Sequence, residues 1–225
     1  MASRERLLLT CEHGGNRVPA RYRDLFPRAL LESHRGWDPG TLPFARQMAR
    51  ALRAPLIATT VTRLLVDANR SLGHPRQFHE AVPAGERAPI LARYYRPHRE
   101  RVTAAVRRLQ PVLHLGLHSF TPVLDGESRD VDVGFLYDPA RGRERAVARA
   151  WAAALRRARP DLRVRMNRPY RGTSDGLTTS LRALLPAARY AGIELEVNQA
   201  FPLGDAGRWR GLRAALLDAL RAAIG

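Results

Sequence analysis

Val112-Leu113-His114-Leu115-Gly116-Leu117 is a short apolar run that leads directly into His118-Ser119. The same arrangement occurs near the start of the chain, where Leu7-Leu8-Leu9-Thr10 leads into Cys11-Glu12-His13. A third run, Ile193-Glu194-Leu195-Glu196-Val197, contains two acidic residues. Such runs are typical of buried strands in a parallel sheet, and open α/β sheets form their binding crevices at the carboxyl ends of strands. The runs therefore predict both the fold class and the place of the site.

Segments with helical periodicity separate the apolar runs. Leu42, Ala45, Met48 and Leu52 predict a helix over residues 41–53. Further helices are predicted over 89–109, with a kink or restart at Pro97, and over 143–159 and 207–224. The predicted strands are 6–10, 56–60, 63–66, 112–117, 131–136, 164–166 and 190–197. This alternation predicts an α/β protein, a mostly parallel sheet covered on both faces. Without a repeat or a clear linker, residues 1–225 are expected to form a single domain.

Composition and the N-terminus favour a cytoplasmic globular protein. Of the 225 residues, 45% are hydrophobic and 26% are charged, which is usual for such proteins. The single cysteine, Cys11, excludes an internal disulfide and fits a reducing compartment. No apolar run reaches about 18 residues, so we expect no membrane-spanning helix and no membrane partner. Residues 1–6 lead directly into a strand and lack the apolar stretch of a secretory signal.

The net charge of +17 raises the question of nucleic-acid binding. All 38 basic residues are arginine, they are spread along the chain, and many adjoin alanine in helical stretches such as 146–150 and 155–159. This pattern indicates a coding bias that acts on solvated helix faces. We therefore expect no specific nucleic-acid partner, although a weak affinity for polyanions can follow from the charge.

Two histidines and one glutamate at predicted strand ends suit metal-assisted hydrolysis. His13 and His118 each follow an apolar run, and Asn16 lies close enough to share a pocket with His13. Glu196 lies inside a strand, where a carboxylate is costly to bury unless it is paired or linked to a metal. Two imidazoles with a nearby carboxylate fit a zinc site with an open position and a general base. The alternative for each histidine is a surface or core position without a metal. The alternative for Glu196 is an exposed strand face.

Two further segments carry candidate site residues. Asp67-Ala68-Asn69-Arg70 ends a predicted strand, and an arginine beside an amide suits the carboxylate of a substrate. The alternative there is a turn held by an Asp–Arg pair. Asp38 is a candidate metal ligand or a partner that orients His13, and helix capping is the alternative.

Several other polar residues have weaker assignments. His114 shares a strand face with His118 and is expected to be structural, while Glu194 shares a face with Glu196 and could pair with an arginine. Tyr94, Tyr95 and His98 lie on one predicted helix, where they either line the pocket or pack in the core. Residues 73–89, with three prolines and two glycines, are expected to form a loop and are a candidate mobile lid.

Taken together and in order, these motifs resemble the N-formylglutamate amidohydrolase family. The resemblance is carried by Cys11-Glu12-His13-Gly14-Gly15-Asn16-Arg17-Val18-Pro19, Trp37-Asp38-Pro39-Gly40, Asp67-Ala68-Asn69-Arg70, His118-Ser119-Phe120, Asp132-Val133-Gly134, Asn167-Arg168-Pro169-Tyr170 and Glu194-Leu195-Glu196-Val197-Asn198-Gln199. These motifs span nearly the whole chain. No nucleophile elbow, phosphate-binding loop, dinucleotide fingerprint or Cys-x-x-Cys pair competes with this interpretation.

The resemblance implies a fold and a set of site residues. The family is similar to zinc carboxypeptidases and aspartoacylases, which implies a phosphorylase/hydrolase-like, three-layer α/β/α fold. It implies His13 and His118 as ligands of Zn²⁺ or another divalent metal and Glu196 as the general base. It also implies substrate contacts from Asn69, Arg70, Asn167 and Tyr170. The related enzymes have glutamate where this chain has Asn16, and an amide is a poor zinc ligand, so Asp38 or Glu12 could replace it.

Three functions are compatible with these residues. The first is a metal-dependent amidohydrolase acting on a small N-acyl amino acid, with N-formyl-L-glutamate, cleaved to glutamate and formate, as the leading candidate. This would be a reaction of amino-acid metabolism. The second is a carboxypeptidase-like hydrolase of peptides or cell-wall fragments. The third is an arginine-rich polyanion-binding protein whose site has decayed. The sequence carries no signal for a particular oligomeric state.

Overall fold

The computed structural model describes residues 6–225, and its centre is a six-stranded sheet. Residues 1–5, on which the expectation of no secretory signal partly rests, lie outside the described residues. The strands of this sheet are β1 (Arg6–Cys11), β2 (Leu56–Ala58), β3 (Val112–Phe120), β6 (Val133–Leu136), β7 (Val164–Met166) and β8 (Tyr190–Asn198), and a separate hairpin contains β4 (Val123–Leu124) and β5 (Glu127–Ser128). The spatial order is β2-β1-β3-β8-β6-β7, and every pairing is parallel except that of β6 with β8. The predicted mostly parallel sheet is confirmed.

Helices cover both faces of the sheet, as the alternation of strands and helices predicts. They are α1 (Arg28–Glu32), α2 (Thr41–Leu52), α3 (Ala84–Ile90), α4 (Arg96–Leu109), α5 (Gly142–Ala158), α6 (Leu177–Leu184) and α7 (Ala206–Ile224), with a 3₁₀ helix at Ala20–Leu25 and a π-helical turn at Leu91–Tyr95. Helices α2, α5 and α7 pack on one face, and α4 and α6 pack on the other. This three-layer α/β/α arrangement confirms the predicted fold class.

Side chains along β3 alternate between the two faces of the sheet, which places leucines in the core on one face and histidines on the other. Leu113, Leu115 and Leu117 are buried in the core under α2, α5 and α7. His114 and His118, on the intervening positions, point to the opposite face, because successive side chains of a strand alternate. His118 lies in register with Glu196 of β8. The sheet therefore brings an imidazole and a carboxylate from distant parts of the chain side by side.

One predicted strand is absent from the structure, and one short helix of the structure is absent from the prediction. Residues 63–66 were predicted as a strand, but they form turns; Leu64, Leu65 and Val66 are buried in a third hydrophobic cluster instead. Apolar content alone does not distinguish a buried turn from a strand. The prediction also lacked α6, whose eight residues are too few for a clear helical period.

The predicted helix over 89–109 is longer and less regular than expected. It begins as α3 at Ala84, widens into the π-helical turn and restarts as α4 at Arg96. Pro97 occupies the first turn of α4, where its missing N–H costs little. The predicted restart at this proline is confirmed.

Residues 73–83 form turns, as expected, but they are anchored to the body of the protein. The expectation of a loop is wrong for residues 84–89, which belong to α3. Gln77 and Val82 are buried, and the backbone N–H of Asp67 donates to the Gln77 carbonyl at 2.8 Å. Phe78 and His79 line the cavity described below. Within residues 6–225, the structure has no helix that combines the length and the apolar character needed to cross a bilayer.

Candidate active site

Two histidines and one aspartate converge at the carboxyl ends of β1 and β3. His13 Nδ1 lies 3.3 Å and His118 Nδ1 lies 3.0 Å from the same oxygen, Asp38 Oδ2. The two imidazole rings have centroids 5.1 Å apart. All three side chains are buried and line one wall of a cavity of about 580 Å³. The structure therefore brings together His13, His118 and Asp38, three of the four predicted metal ligands.

Local structure places Asp38 in this position. Its backbone N–H donates to the carbonyl of His13 at 2.9 Å, and its own carbonyl accepts from the Thr41 hydroxyl at 2.6 Å. Gly40 allows the tight turn into α2 with a φ of +79°, and a Cβ there would lie 2.3 Å from Pro202. Helix capping, the alternative expected for Asp38, is absent: Gly40 precedes α2, no side chain among residues 6–225 caps this helix, and the Asp38 carboxylate faces both imidazoles instead.

Each histidine also faces a second carboxylate through its other ring nitrogen. His13 Nε2 donates to Asp67 Oδ1 at 2.8 Å, and His118 Nε2 lies 3.2 Å from Glu12 Oε2. Arg63 joins the cluster by donating to Asp67 Oδ2 at 2.9 Å. Sequence reasoning missed Arg63 because residues 63–66 were interpreted as a strand. The spacing of four between Arg63 and Asp67 was the only available signal.

The buried carboxylates favour the protonated form of both imidazoles when no metal is bound. Burial and Arg63 alone would lower the pKa of His13, but Asp67 and Asp38 outweigh them and raise it above 6.5. Burial likewise opposes protonation of His118, yet Asp38 and Glu12 hold its pKa well above 6.5. Because a metal binds the neutral imidazole, protons and metal compete for these nitrogens.

Glu196 lies beside this cluster and has the chemistry of a proton acceptor. Its carboxyl is buried, lines the cavity, and carries one oxygen, Oε2, without a hydrogen-bond partner in the described part of the chain. Burial raises the pKa of Glu196 to about 8, although the charge of His118 opposes the increase. A carboxyl with a raised pKa at a cavity wall is typical of a functional site.

The raised pKa of Glu196 predicts a pH-dependent stability of the metal-free protein. The carboxyl ionises near 4.5 when unfolded and near 8 when folded, so it destabilises the folded state progressively as the pH rises through this window. Glu196→Gln, which cannot ionise, should therefore gain stability relative to wild type between pH 4.5 and 8. Denaturant unfolding in the presence of a chelator measures this difference. A constant difference across the window would contradict the raised pKa.

The predicted carboxylate-binding pair lies on the cavity wall. Arg70 donates to the carbonyl of Asp175 at 3.1 Å and keeps a side chain that is about one-fifth exposed. Asn69 Oδ1 accepts from the backbone N–H of Leu177 at 2.7 Å, at the start of α6. Both residues line the cavity. The expected alternative, a turn held by an Asp–Arg pair, is also present, since the Arg70 backbone N–H donates to the Asp67 carbonyl at 3.2 Å and Arg70 Nε lies 3.9 Å from Asp67 Oδ2.

Tyr170 and Asn167, the other predicted substrate contacts, have different surroundings. Tyr170 lines the cavity, and its hydroxyl accepts from Arg129 at 2.9 Å. Asn167 lies outside the cavity lining, and its Oδ1 accepts from the backbone N–H groups of Tyr137 and Gly172, both at 3.0 Å. Its φ of +52° places it in a tight turn that asparagine tolerates. The prediction that Asn167 contacts substrate is therefore corrected to a structural role.

The structure also places Asn16 and its neighbouring glycines outside the cavity lining. The Asn16 amide donates to the Leu31 carbonyl at 3.1 Å, away from the cavity, whereas Asp38 contacts both histidines. Gly14 and Gly15 pack against the neighbouring backbone rather than against the cavity. Their missing side chains make room for the backbone of Thr59 and the Cβ of Thr60, each about 3.0 Å from the place of a Cβ.

His114 is a structural histidine, as predicted. It bonds Thr10 Oγ1 at 2.8 Å and Tyr190 Oη at 2.7 Å, and burial lowers its pKa to about 4. Glu194 accepts from the Thr178 hydroxyl at 3.1 Å, and it forms no ion pair with an arginine among residues 6–225.

The helical segment of residues 84–109 packs against the site on the side away from the cavity. Tyr95 Oη donates to the Arg70 carbonyl at 2.8 Å, and His98 is buried with Nε2 3.6 Å from Glu12 Oε1. Tyr94, Tyr95 and His98 all lie outside the cavity lining. Core packing, the alternative expected for this group, is what the structure shows.

The donor set fits a divalent metal ion. One ligand atom from each of His13, Asp38 and His118 can be chosen so that all three lie within 4.8 Å of one another. Two imidazole nitrogens and one carboxylate oxygen are ligands that zinc binds in catalytic sites. The unpartnered Oε2 of buried Glu196 leaves a polar atom beside the cluster for a water molecule. Glu12, the other residue named as a possible ligand, is outside this group.

Comparisons with known proteins agree with the fold and the motifs. A gene product of Agrobacterium tumefaciens is similar, with a TM-score of 0.83 and 28% identity over 99% of this chain and 91% of that chain. An N-formylglutamate amidohydrolase of Ralstonia eutropha JMP134 has a TM-score of 0.73 and 20% identity over 99% of this chain and 94% of that chain. No curated protein sequence matches. The family model for N-formylglutamate amidohydrolase matches residues 5–202, and the chain therefore belongs to the N-formylglutamate amidohydrolase family.

Proposed function

We propose that this amidohydrolase depends on a divalent metal and cleaves a small N-acyl amino acid, with N-formyl-L-glutamate as the leading substrate. The observation that carries the proposal is the convergence of His13, Asp38 and His118 beside the buried carboxyl of Glu196. The family to which the chain belongs supports the class of reaction. A cavity of about 580 Å³ lies within the size range of small-molecule sites, which supports a small substrate.

His13, Asp38 and His118 would hold the metal, with Zn²⁺ as the first candidate. When bound, such an ion polarises the acyl carbonyl and makes water a stronger nucleophile at neutral pH. The protein's own contribution is to bury the three ligands and to hold their orientation before the substrate arrives. The donors are supplied by the ends of two adjacent parallel strands and by the turn before α2, so the sheet itself sets their separation.

Glu196 would transfer the proton that amide hydrolysis requires. Its carboxylate accepts a proton from the attacking water, whose oxygen forms a bond to the acyl carbon. The carboxyl then donates this proton to the amine nitrogen as the C–N bond breaks. The products are a free carboxylic acid, which is formate for an N-formyl substrate, and the amino acid. The same carboxyl therefore accepts and then releases one proton, and returns to its starting state.

Arg70 and Asn69 would bind a carboxylate of the substrate. The Arg70 guanidinium lies 3.8 Å from Asp175 Oδ2 and 3.9 Å from Asp67 Oδ2, beyond hydrogen-bond distance of either carboxylate, so N–H groups other than the one that bonds the Asp175 carbonyl could donate to a substrate carboxylate. A planar guanidinium binds a carboxylate through two hydrogen bonds at once. Tyr170, which lines the same cavity and is 43% exposed, would also contact the substrate.

Replacing Arg70 with alanine should mainly weaken substrate binding. We expect KM for an acidic substrate to rise by about 10- to 100-fold, because a hydrogen bond to a charged group contributes about 1.5–3 kcal/mol. The kcat should change much less, because Arg70 does not touch the scissile amide. Steady-state kinetics with N-formyl-L-glutamate measures both constants. Arg76→Ala, which removes an exposed arginine from the same cavity, is the matched control. An unchanged KM would contradict the role of Arg70.

A panel of N-acyl amino acids tests the proposed substrate. Purified protein loaded with Zn²⁺ should release formate from N-formyl-L-glutamate faster than from N-formyl-L-leucine, because the leucine side chain offers no second carboxylate. N-Acetyl-L-glutamate tests the acyl group, and a dipeptide with a C-terminal glutamate tests the carboxypeptidase-like alternative. Preference for the dipeptide would replace the proposed function with that alternative.

A further inference from the structure

We infer that Asp67 and Glu12 are positioning residues that orient the two metal-binding histidines, one carboxylate for each imidazole. The inference rests on the proposed metal site but not on the identity of the substrate. Neither carboxylate belongs to the donor group itself. Each one faces the ring nitrogen that points away from Asp38.

Both histidines face two carboxylates, which come from different parts of the chain; His13 Nε2 forms a hydrogen bond with its second carboxylate, and His118 Nε2 lies 3.2 Å from its own without a hydrogen bond between them. In each ring, Nδ1 faces Asp38 Oδ2 and Nε2 faces a second carboxylate, Asp67 for His13 and Glu12 for His118. A carboxylate that accepts the Nε2 proton fixes the tautomer whose Nδ1 lone pair is available to a metal. It also makes the imidazole a stronger donor to the metal. The geometry therefore assigns Nδ1 as the ligand atom of both residues.

Asp67 is held firmly enough to orient a ring. Its Oδ1 accepts from His13 and from the Asn69 N–H, and its Oδ2 accepts from Arg63 at 2.9 Å. The Asp67 backbone N–H donates to the Gln77 carbonyl at 2.8 Å. Three accepted hydrogen bonds hold the carboxylate in the orientation in which it meets His13.

Glu12 is buried at 1% exposure and lies between two imidazoles. Its Oε2 is 3.2 Å from His118 Nε2, and its Oε1 is 3.6 Å from His98 Nε2 on α4. Such a deeply buried carboxylate is costly unless it is paired with cationic or polar groups. The nearby imidazoles of His118 and of His98, on α4, reduce this cost.

Metal affinity of substitution variants tests the inference directly. We expect Asp67→Ala and Glu12→Ala to bind Zn²⁺ about 10- to 100-fold more weakly than wild type, measured by competition with a chromogenic chelator in the absence of substrate. Asp67→Asn and Glu12→Gln, which keep an acceptor oxygen without the charge, should restore part of the loss. With Co²⁺ in place of Zn²⁺, the visible absorption bands should shift in the variants, because the ligand field changes. Glu80→Gln, which removes an exposed carboxylate from the same cavity, is the matched control and should match wild type.

The outcomes separate this inference from the proposed function. Wild-type affinity and an unchanged Co²⁺ spectrum in folded Asp67 and Glu12 variants would overturn the positioning role and leave the proposed function intact. If the variants bind metal more weakly but the wild-type protein hydrolyses no N-acyl amino acid, the positioning role is supported and the proposed function is rejected. If the alanine variants do not fold, as judged by circular dichroism, the Asn and Gln variants decide the question. A wild-type chain that binds no metal would overturn the inference outright.

Discussion

Replacing His118 with alanine should abolish both metal binding and amide hydrolysis. His118 supplies one of only two imidazoles in the donor group, and its loss leaves Asp38 and His13 as a two-residue site. Two protein ligands are too few for a catalytic zinc site, which normally has three. We expect metal content to fall from one ion per chain to near zero, and turnover to fall below detection, by elemental analysis and a formate assay on the same sample.

A matched histidine provides the control for this prediction. His34 lines the same cavity but is exposed and lies outside the donor group, so His34→Ala should keep the metal and most of the activity. A folded His118→Ala protein that retains one metal ion per chain, or full activity, would show that the ligands are elsewhere.

Replacing Glu196 with glutamine should remove the chemical step while sparing the metal. The amide cannot take a proton from water, and the loss of a general base typically lowers the rate about 10²- to 10⁴-fold. The side chain keeps its shape, and Glu196 is not in the donor group, so one metal ion per chain should remain. The expected result is a decrease in kcat with little change in KM.

Glu194 offers the comparison on the same strand and the same face. It lies two residues before Glu196, lines the cavity and bonds Thr178, so Glu194→Gln also removes a negative charge near the site. Its effect on kcat should be far smaller than that of Glu196→Gln. Equal effects would indicate that charge alone matters, and near wild-type activity of Glu196→Gln would exclude Glu196 as the base.

The fold could be predicted from the sequence because its signals are local. The apolar runs that became β1, β3 and β8 are short, nearly uninterrupted and bounded by polar residues, as buried parallel strands require. Helices α2, α5 and α7 are long enough to show a helical period. Short elements such as α6 and the turns of residues 63–66 depend on tertiary packing, so propensity alone does not reveal them.

The site was predictable where strand ends determine it, and less so where loops do. His13, His118 and Glu196 follow from the topology, because neighbouring parallel strands carry their carboxyl ends to one edge. Asn16 and Asn167 sit in turns, and their polar atoms bond backbone groups that no sequence pattern marks. Polar side chains in loops often satisfy the local backbone, and a motif does not show which of them do.

The most direct test of the account is metal reconstitution of the wild-type chain. Protein stripped with a chelator should be inactive, and adding one equivalent of Zn²⁺ or another divalent ion per chain should restore release of formate from N-formyl-L-glutamate. Titration of activity against metal should reach its plateau at one ion per chain, in line with a single donor group of His13, Asp38 and His118 among residues 6–225. Full activity in the stripped protein, with no metal detected by elemental analysis, would contradict the account.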